Sequence, residues 1–187
     1  MKRLYSFAVC IALVCLAVSC GSRNRIDKEV KDFRHSQVKV PLDSMVRLSS
    51  KPFPSIYGEA KYIYVMYVDS ASCGDCAISH LQDWAAIDLT DAYKSGALRY
   101  AFVIAPRQSQ FRHVIEKLGE DTVYRDFIFV DTAGVFERSN PNLPANKLLH
   151  TFMINAHGEV ELIGNPISNS RIKDMLVKIA SGKGSTD

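Results

Sequence analysis

The sequence has little excess charge of either sign. Of its 187 residues, 23 are lysine or arginine and 20 are aspartate or glutamate, so the formal net charge is only +3. There is no stripe of basic residues with interleaved aromatics, and nucleic acid is therefore not expected as a partner. Hydrophobic residues make up 47% and charged residues 23% of the chain. This composition is typical of a globular domain and excludes wholesale disorder, collagen and long coiled coil.

Long hydrophobic runs are absent after the amino terminus, which excludes a multi-pass membrane protein. The one apolar run, 4–18, is interrupted only by Ser6. At about 15 residues it is short for a membrane-spanning helix, which needs roughly 20. It follows Lys2 and Arg3 and ends in small residues, a pattern that predicts a secretory signal peptide over 1–19. A retained membrane anchor and a simply secreted protein are the alternatives.

Cys20 directly follows the small residues that end the apolar run. Residues 17–20 (Ala-Val-Ser-Cys) resemble the lipobox of bacterial lipoproteins, with Ala17 where leucine is usual. The resemblance implies cleavage before Cys20, lipid on its thiol and amine, and attachment to a membrane through that lipid. It places the protein in the bacterial cell envelope, in the periplasm or at the cell surface. Gly21, in place of the aspartate associated with inner-membrane retention, favours the outer membrane.

Cysteine is scarce in the rest of the chain. Cys10 and Cys15 lie in the signal peptide and Cys20 would carry lipid, which leaves Cys73 and Cys76. One disulfide bond cannot hold a domain of this size together, so a fold built on disulfides is excluded. An exported setting nevertheless permits disulfide chemistry.

The pattern of apolar residues predicts an α/β domain over 38–182, with its core at 60–181. A polar tether over 20–37 precedes this domain, and a polar tail at 183–187 follows it. Part of the tether has the apolar period of a short amphipathic helix. Strands are predicted near 45–48 and over 61–69, 98–105, 127–131, 151–155 and 159–163, and helices over 74–93, 108–118 and 168–181, the last capped by Ser168. Strands separated by helices pair in parallel, and a turn at 156–158 makes the last two strands an antiparallel hairpin. We expect a mixed sheet with helices on both faces.

The motif Cys73-Gly74-Asp75-Cys76 lies where the first long strand turns into a helix. A C-x-x-C near a βαβ pattern indicates a redox dithiol. Unsatisfied N–H groups and the macrodipole favour an anion at a helix N-terminus, so Cys73 is expected to be exposed and partly thiolate. Cys76, one turn further on, would be shielded and would resolve the mixed disulfide that Cys73 forms. Disulfide exchange needs no organic cofactor.

Two segments, 65–76 (VMYVDSASCGDC) and 150–160 (HTFMINAHGEV), resemble the thioredoxin-like superfamily. They are most similar to membrane-tethered extracytoplasmic thioredoxins of the cytochrome-maturation type and to their peroxiredoxin-like relatives. The resemblance covers about 60–180. It implies a thioredoxin-like fold and thiol–disulfide oxidoreductase activity.

The chain departs from the family pattern at three places. Ser72 replaces the tryptophan that usually precedes the first cysteine, and Tyr67 replaces a buried acid in the strand. Leu149 or His150 replaces the cis-proline that faces the dithiol, and a trans peptide is expected because a non-proline cis bond costs roughly 2.5–4 kcal/mol. If His150 faces the dithiol, its imidazole tunes the Cys73 thiolate, joins both sulfurs around a soft metal, or is a spectator.

Other side chains near the motif allow alternatives. Asp75 either complements the helix dipole or raises the pKa of Cys73 by like-charge repulsion, which would favour a reducing character. Ser70 and Ser72 are expected to cap the helix or the turn, although Ser70-x-x-Cys73 also resembles the Thr/Ser-x-x-Cys of peroxiredoxins. His80 could join the two cysteines as a metal ligand, but no fourth ligand is evident, so no metal site is predicted.

The combined prediction is a lipid-anchored thiol–disulfide oxidoreductase that works in the reducing direction. Its partners would be the disulfides or thiols of exported proteins and a thiol electron donor. The alternative is a non-catalytic thioredoxin-fold lipoprotein, a binding or structural module with a fixed Cys73–Cys76 bond. Peroxidase and metallochaperone roles are further alternatives.

Overall fold

The chain alternates short strands and short helices. The computed structural model describes residues 24–72, 78–88, 90–120 and 123–182, and a first helix, α1, occupies 24–33. The strands are β1 (Val46–Arg47), β2 (Tyr62–Val68), β3 (Leu98–Ile104), β4 (Ile128–Val130), β5 (Thr151–Asn155) and β6 (Val160–Ile163). The other helices are α2 (Phe53–Tyr57), α3 (Ala85–Asp88), α4 (Asp91–Lys94), α5 (Phe111–Glu120), α6 (Val135–Ser139) and α7 (Ser170–Ala180). None of the helices in these ranges is long and apolar enough to cross a bilayer.

The strands of the described ranges form one mixed sheet in the order β1-β4-β3-β2-β5-β6. β2, β3 and β4 are parallel, whereas β5 is antiparallel to β2, β6 to β5 and β1 to β4. β2 and β3 are nearly continuous runs of apolar residues because they are paired on both sides and covered on both faces. The predicted α/β class is confirmed. The strand plan agrees with the predicted one, with a parallel unit, then an antiparallel hairpin and a closing helix.

The first face of the sheet is covered by the segment 78–88 together with α5 and α7. Tyr64 of β2 and Phe102 of β3 point to this face, because successive side chains of a strand alternate between the two faces. Trp84 packs edge-on to both rings, with centroids 5.4 Å from Tyr64 and 5.2 Å from Phe102. The chain that leaves the dithiol is thus held against the sheet.

The second face is covered by α1 and α6, so helices lie on both faces as predicted. Phe33 of α1 is only 2% exposed, and its ring meets that of Phe152 edge-on at 5.0 Å. Phe136 of α6 packs on Tyr67 at 4.6 Å. The amphipathic helix foreseen within the polar tether therefore packs on the sheet, and this part of 20–37 does not lie apart from the domain.

The prediction of one continuous helix over 74–93 is wrong in the described part of that range. A 3-10 turn, Leu81–Trp84, leads into α3, and α4 then begins as a separate helix after Thr90. Thr90 has an extended backbone and its hydroxyl accepts a hydrogen bond from the Tyr93 N–H at 3.4 Å. An N-cap inside an apolar period starts a new helix, which the period alone does not reveal.

Two further helix starts differ from the prediction. α7 is capped by Asn169, whose Oδ1 accepts from the Arg171 N–H at 3.0 Å, and not by Ser168. The predicted loop after β4 contains α6, which begins beside the buried Asp131 carboxylate. That carboxylate accepts from the backbone N–H groups of Val135 at 2.9 Å and Phe136 at 2.8 Å. Both starts use acceptor side chains that suit N-terminal turns.

Candidate active site

The dithiol motif lies in sequence between two described parts of the chain. Residues 73–77, which include Cys73, Asp75 and Cys76, lie outside the described residues, and so does Cys20. The chain reaches Ser72 from the carboxyl end of β2 and continues at Ile78, which is 2% exposed and packs on the first face of the sheet.

Asp69 organises the turn that leads to the dithiol. Its Oδ1 accepts hydrogen bonds from the Ser72 hydroxyl at 2.6 Å and from the Ala71 N–H at 3.2 Å. Its backbone carbonyl accepts from the Ser72 N–H at 3.1 Å. This is the local bonding by which aspartate stabilises turns. The Ser72 hydroxyl is thus a donor to the aspartate of this turn, and capping of the helix or the turn by Ser70 and Ser72 stays a prediction.

An ion pair ties this turn to the start of β5. The Lys147 Nζ lies 2.7 Å from Asp69 Oδ2 and 2.9 Å from Oδ1. Burial raises the pKa of the Asp69 carboxyl, but hydrogen bonds from Lys147 and Ser72 outweigh burial and hold that pKa below its ordinary value of 3.8. Asp69 is therefore a carboxylate at neutral pH, four residues before Cys73.

The far side of the turn is fixed to β3 and the chain after it. The Val68 carbonyl accepts from the Ala105 N–H at 2.8 Å, and the Ser70 carbonyl accepts from Arg107 Nε at 3.0 Å. Between the turn and α5 lies a small cavity of about 60 Å³, lined in part by Asp69, Ser72 and His113. Its size and polar lining suit ordered water.

His150 is buried beside Tyr67 on the second face. It is 6% exposed, its Nε2 donates to the Pro144 carbonyl at 2.8 Å, and its ring centroid lies 5.5 Å from that of Tyr67. Because a carbonyl only accepts, Nε2 is the protonated donor of this hydrogen bond. The peptide bonds from Leu149 to Thr151 are trans.

Tyr67 occupies the strand position where the resembled family often has a buried acid. The residue is 5% exposed, and the Tyr67 N–H donates to the His150 carbonyl at 2.9 Å. Burial raises the pKa of the Tyr67 phenol, and the neighbouring Glu137 carboxylate raises it further. The side chain is therefore a neutral phenol at physiological pH and adds no negative charge near the dithiol.

The segment that leaves the dithiol carries His80 and Trp84. His80 Nδ1 lies 2.9 Å from Asp83 Oδ2, and the His80 side chain is 75% exposed. Trp84 is a core residue, and it borders an open apolar groove of about 460 Å³ with Met66 and Ile167. Within the described ranges, no three histidine, cysteine, aspartate or glutamate side chains are grouped as a metal site would require.

Sequence reasoning missed Asp69, Lys147 and Arg107. The Asp-Ser-Ala-Ser order at 69–72 is a local signal for an aspartate turn and could have identified Asp69. No local signal could have identified Lys147, because it lies 78 residues further along the chain and meets Asp69 only through the pairing of β5 with β2.

Comparison with known proteins finds similarity at the level of solved structures. No family model and no curated protein sequence matches the chain. Similar structures include the exposed lipoprotein thioredoxin Etrx1 from Streptococcus pneumoniae strain TIGR4, at 17% identity over 72% of this chain and 96% of that chain, with a TM-score of 0.46. The N-terminal domain of PilB from Neisseria gonorrhoeae is 15% identical over 78% of this chain and 91% of its own, with a TM-score of 0.48. The reduced form of that domain from N. meningitidis is 17% identical over 75% and 96%, also with a TM-score of 0.48.

Proposed function

We propose that the chain is a membrane-tethered thiol–disulfide oxidoreductase that uses the Cys73–Cys76 dithiol to reduce disulfides of exported proteins. The observation that carries the proposal is the position of the motif between Ser72, at the carboxyl end of the parallel strand β2, and the buried Ile78. Open α/β sheets bind and react with ligands at this edge.

In the proposed reaction the Cys73 thiolate attacks one sulfur of a client disulfide. A Cys73–client disulfide forms, and one client sulfur leaves as a thiolate that takes up a proton. Cys76 then loses its proton and attacks the Cys73 sulfur, which releases the second client thiol. The client has gained two electrons and two protons, and the protein ends with a Cys73–Cys76 disulfide that an external thiol donor reduces again.

Local charge supports the reducing direction. Asp75 lies between the cysteines and Asp69 lies four residues before Cys73. Negative charge near a thiol disfavours the thiolate, and a less stabilised thiolate makes the oxidised form a weaker oxidant. Lys147 offsets the charge of Asp69 through their ion pair, so Asp75 carries most of this effect in the proposal.

The proposed tether is the lipid on Cys20. Only the three residues 21–23 separate Cys20 from the start of the described helix, so the folded domain would follow the anchor almost directly.

A redox titration of the 73/76 pair against glutathione tests the proposed activity. We expect a midpoint near that of thioredoxin, about −270 mV, because the proposed direction is reducing. The Asp75→Asn variant should have a less negative midpoint, since removal of the carboxylate favours the thiolate. A midpoint potential more negative than about −300 mV, as structural disulfides have, would indicate the non-catalytic alternative if Asp75→Asn leaves that midpoint unchanged.

A further inference from the structure

Two exposed apolar side chains border one cavity beside the first described helix. Leu148 is 79% exposed and Ile26 is 38% exposed, and both border an open cavity of about 410 Å³. We call this surface the Ile26–Leu148 patch, and its other lining residues are Arg25, Glu29, Ala145, Asn146 and Lys147. Leu148 is the most exposed large hydrophobic residue of the part that the structure describes.

The patch is held together by polar contacts between α1 and the turn before β5. Glu29 Oε2 accepts from the Asn146 N–H at 2.9 Å, and Glu29 Oε1 lies 3.2 Å from Arg25 Nε. Asn146 Oδ1 accepts from the Leu148 N–H at 3.1 Å. These hydrogen bonds hold the turn against α1, and the exposed side chain of Leu148 projects from that turn.

The patch lies next to the proposed anchor. Cys20 precedes Asn24 by four residues, and an extended chain of four residues spans at most about 14 Å. A bilayer that holds lipid on Cys20 is therefore never far from the first turn of α1, which carries Ile26. Arg25 is 73% exposed and Lys147 is 47% exposed, and each is paired with a carboxylate, Glu29 and Asp69 respectively. Two basic side chains therefore flank the apolar pair and could exchange these partners for anionic headgroups.

We propose that the Ile26–Leu148 patch docks on the lipid bilayer that holds the Cys20 anchor. The inference rests on the membrane tether of the proposed function. Two apolar side chains alone bind a bilayer weakly, but a short tether gives them a high effective concentration at its surface, and stable membrane binding commonly combines two such signals.

Docking in this orientation sets where the dithiol works. Lys147, one residue before Leu148, is the ion-pair partner of Asp69 in the turn that leads to Cys73. The edge of the sheet that carries the dithiol then lies beside the membrane, and the disulfides within its reach are those of proteins at the membrane surface.

Tryptophan fluorescence in brominated lipid tests the docking. The chain has a single tryptophan, Trp84, which is 2% exposed and supplies a constant background. Full-length lipidated protein carrying Leu148→Trp is reconstituted in vesicles of phosphatidylcholine and phosphatidylglycerol with brominated acyl chains. Val123→Trp is the matched control, because Val123 is 69% exposed but precedes β4, at the opposite edge of the sheet.

We expect brominated lipid to reduce the added fluorescence of Leu148→Trp and to leave that of Val123→Trp unchanged. Ile26→Trp serves as a second reporter and should be quenched as well. Equal quenching at Leu148 and Val123, or none at either, would overturn the docking. A blue shift of Leu148→Trp without quenching would also overturn it, since a protein would then cover the patch.

The redox titration in the same vesicles separates this inference from the proposed activity. Selective quenching with an inert dithiol would leave the docking intact and remove the oxidoreductase function. An active dithiol without quenching would refute the docking and leave the oxidoreductase function intact. Protein that fails to float with the vesicles would refute both the anchor and the docking.

Discussion

At the scale of single residues, Asp69 is the charged residue of the described chain that lies closest in sequence to the dithiol motif, four residues before Cys73. It accepts from Lys147 and Ser72. Asp126 has a similar set of partners, Lys51 and Ser49, but it lies before β4 at the opposite edge of the sheet. A comparison of variants at the two aspartates therefore distinguishes a change in the pKa of Cys73 from a change in stability alone.

Asp69→Asn should lower the pKa of the Cys73 thiol. The substitution removes a negative charge and leaves the Lys147 ammonium without its partner, and both changes favour the thiolate. The rate of alkylation of reduced protein against pH measures this pKa. Asp126→Asn is the control, which should leave the pKa of Cys73 unchanged. The same Cys73 pKa in both variants would contradict a link between Asp69 and the dithiol.

The Asp69 carboxylate should also make stability depend on pH. Its folded-state pKa is held below the ordinary value, so its contribution is present above about pH 4 and is lost as the pH falls through the depressed pKa. The free energy of unfolding of wild type should exceed that of Asp69→Asn by about 1 kcal/mol at neutral pH. Chemical denaturation should show this difference shrinking in acid. A difference that stays constant to low pH would rule out the ionised carboxylate as its source.

His150 is predicted to act chiefly through packing. His150→Ala removes the donor to the buried Pro144 carbonyl and the contact with Tyr67, so it should cost about 1–3 kcal/mol of unfolding free energy. The pKa of Cys73 should change little, and protein purified reduced should be metal-free with or without the substitution. A clear rise in the Cys73 pKa would instead show that the imidazole stabilises the thiolate.

At the scale of elements, the central strands were predictable and several helix starts were not. β2, β3 and β5 follow nearly continuous apolar runs that are rich in aromatic and β-branched residues, as is typical of strands buried on both faces. The break before α4 depends on one hydroxyl, that of Thr90. α6 depends on the orientation of Asp131, whose carboxylate turns back to meet two N–H groups. Capping of this kind is decided by side-chain geometry, which an apolar period does not encode.

Helix α1 should behave as part of the folded domain. Phe33→Ala removes a buried ring that packs on Phe152, so it should cost about 3 kcal/mol of unfolding free energy. Ile26→Ala, two turns before Phe33 and 38% exposed, should cost no more than about 0.5 kcal/mol. Denaturant unfolding of both variants checks this contrast, and a neutral Phe33→Ala would mean that α1 is a loose tether.

At the scale of the whole molecule, the sheet brings distant segments to one edge. The turn at 69–72 ends β2, and the turn before β5 delivers Lys147 and His150 to the same edge because β5 runs antiparallel to β2. The resemblance to a known family singled out the segments 65–76 and 150–160. It could not predict the ion pair between Asp69 and Lys147, because these residues lie 78 positions apart and meet only through strand pairing.

The central claim is that Cys73 attacks client disulfides and Cys76 resolves them. The most direct measurement is capture by Cys76→Ser, expressed in full length in its cell envelope, followed by non-reducing electrophoresis. We expect reductant-sensitive adducts through Cys73 that are absent from the matched Cys73→Ser variant. Adducts from Cys73→Ser alone would reverse the roles of the two cysteines, and adducts from neither variant would contradict the account.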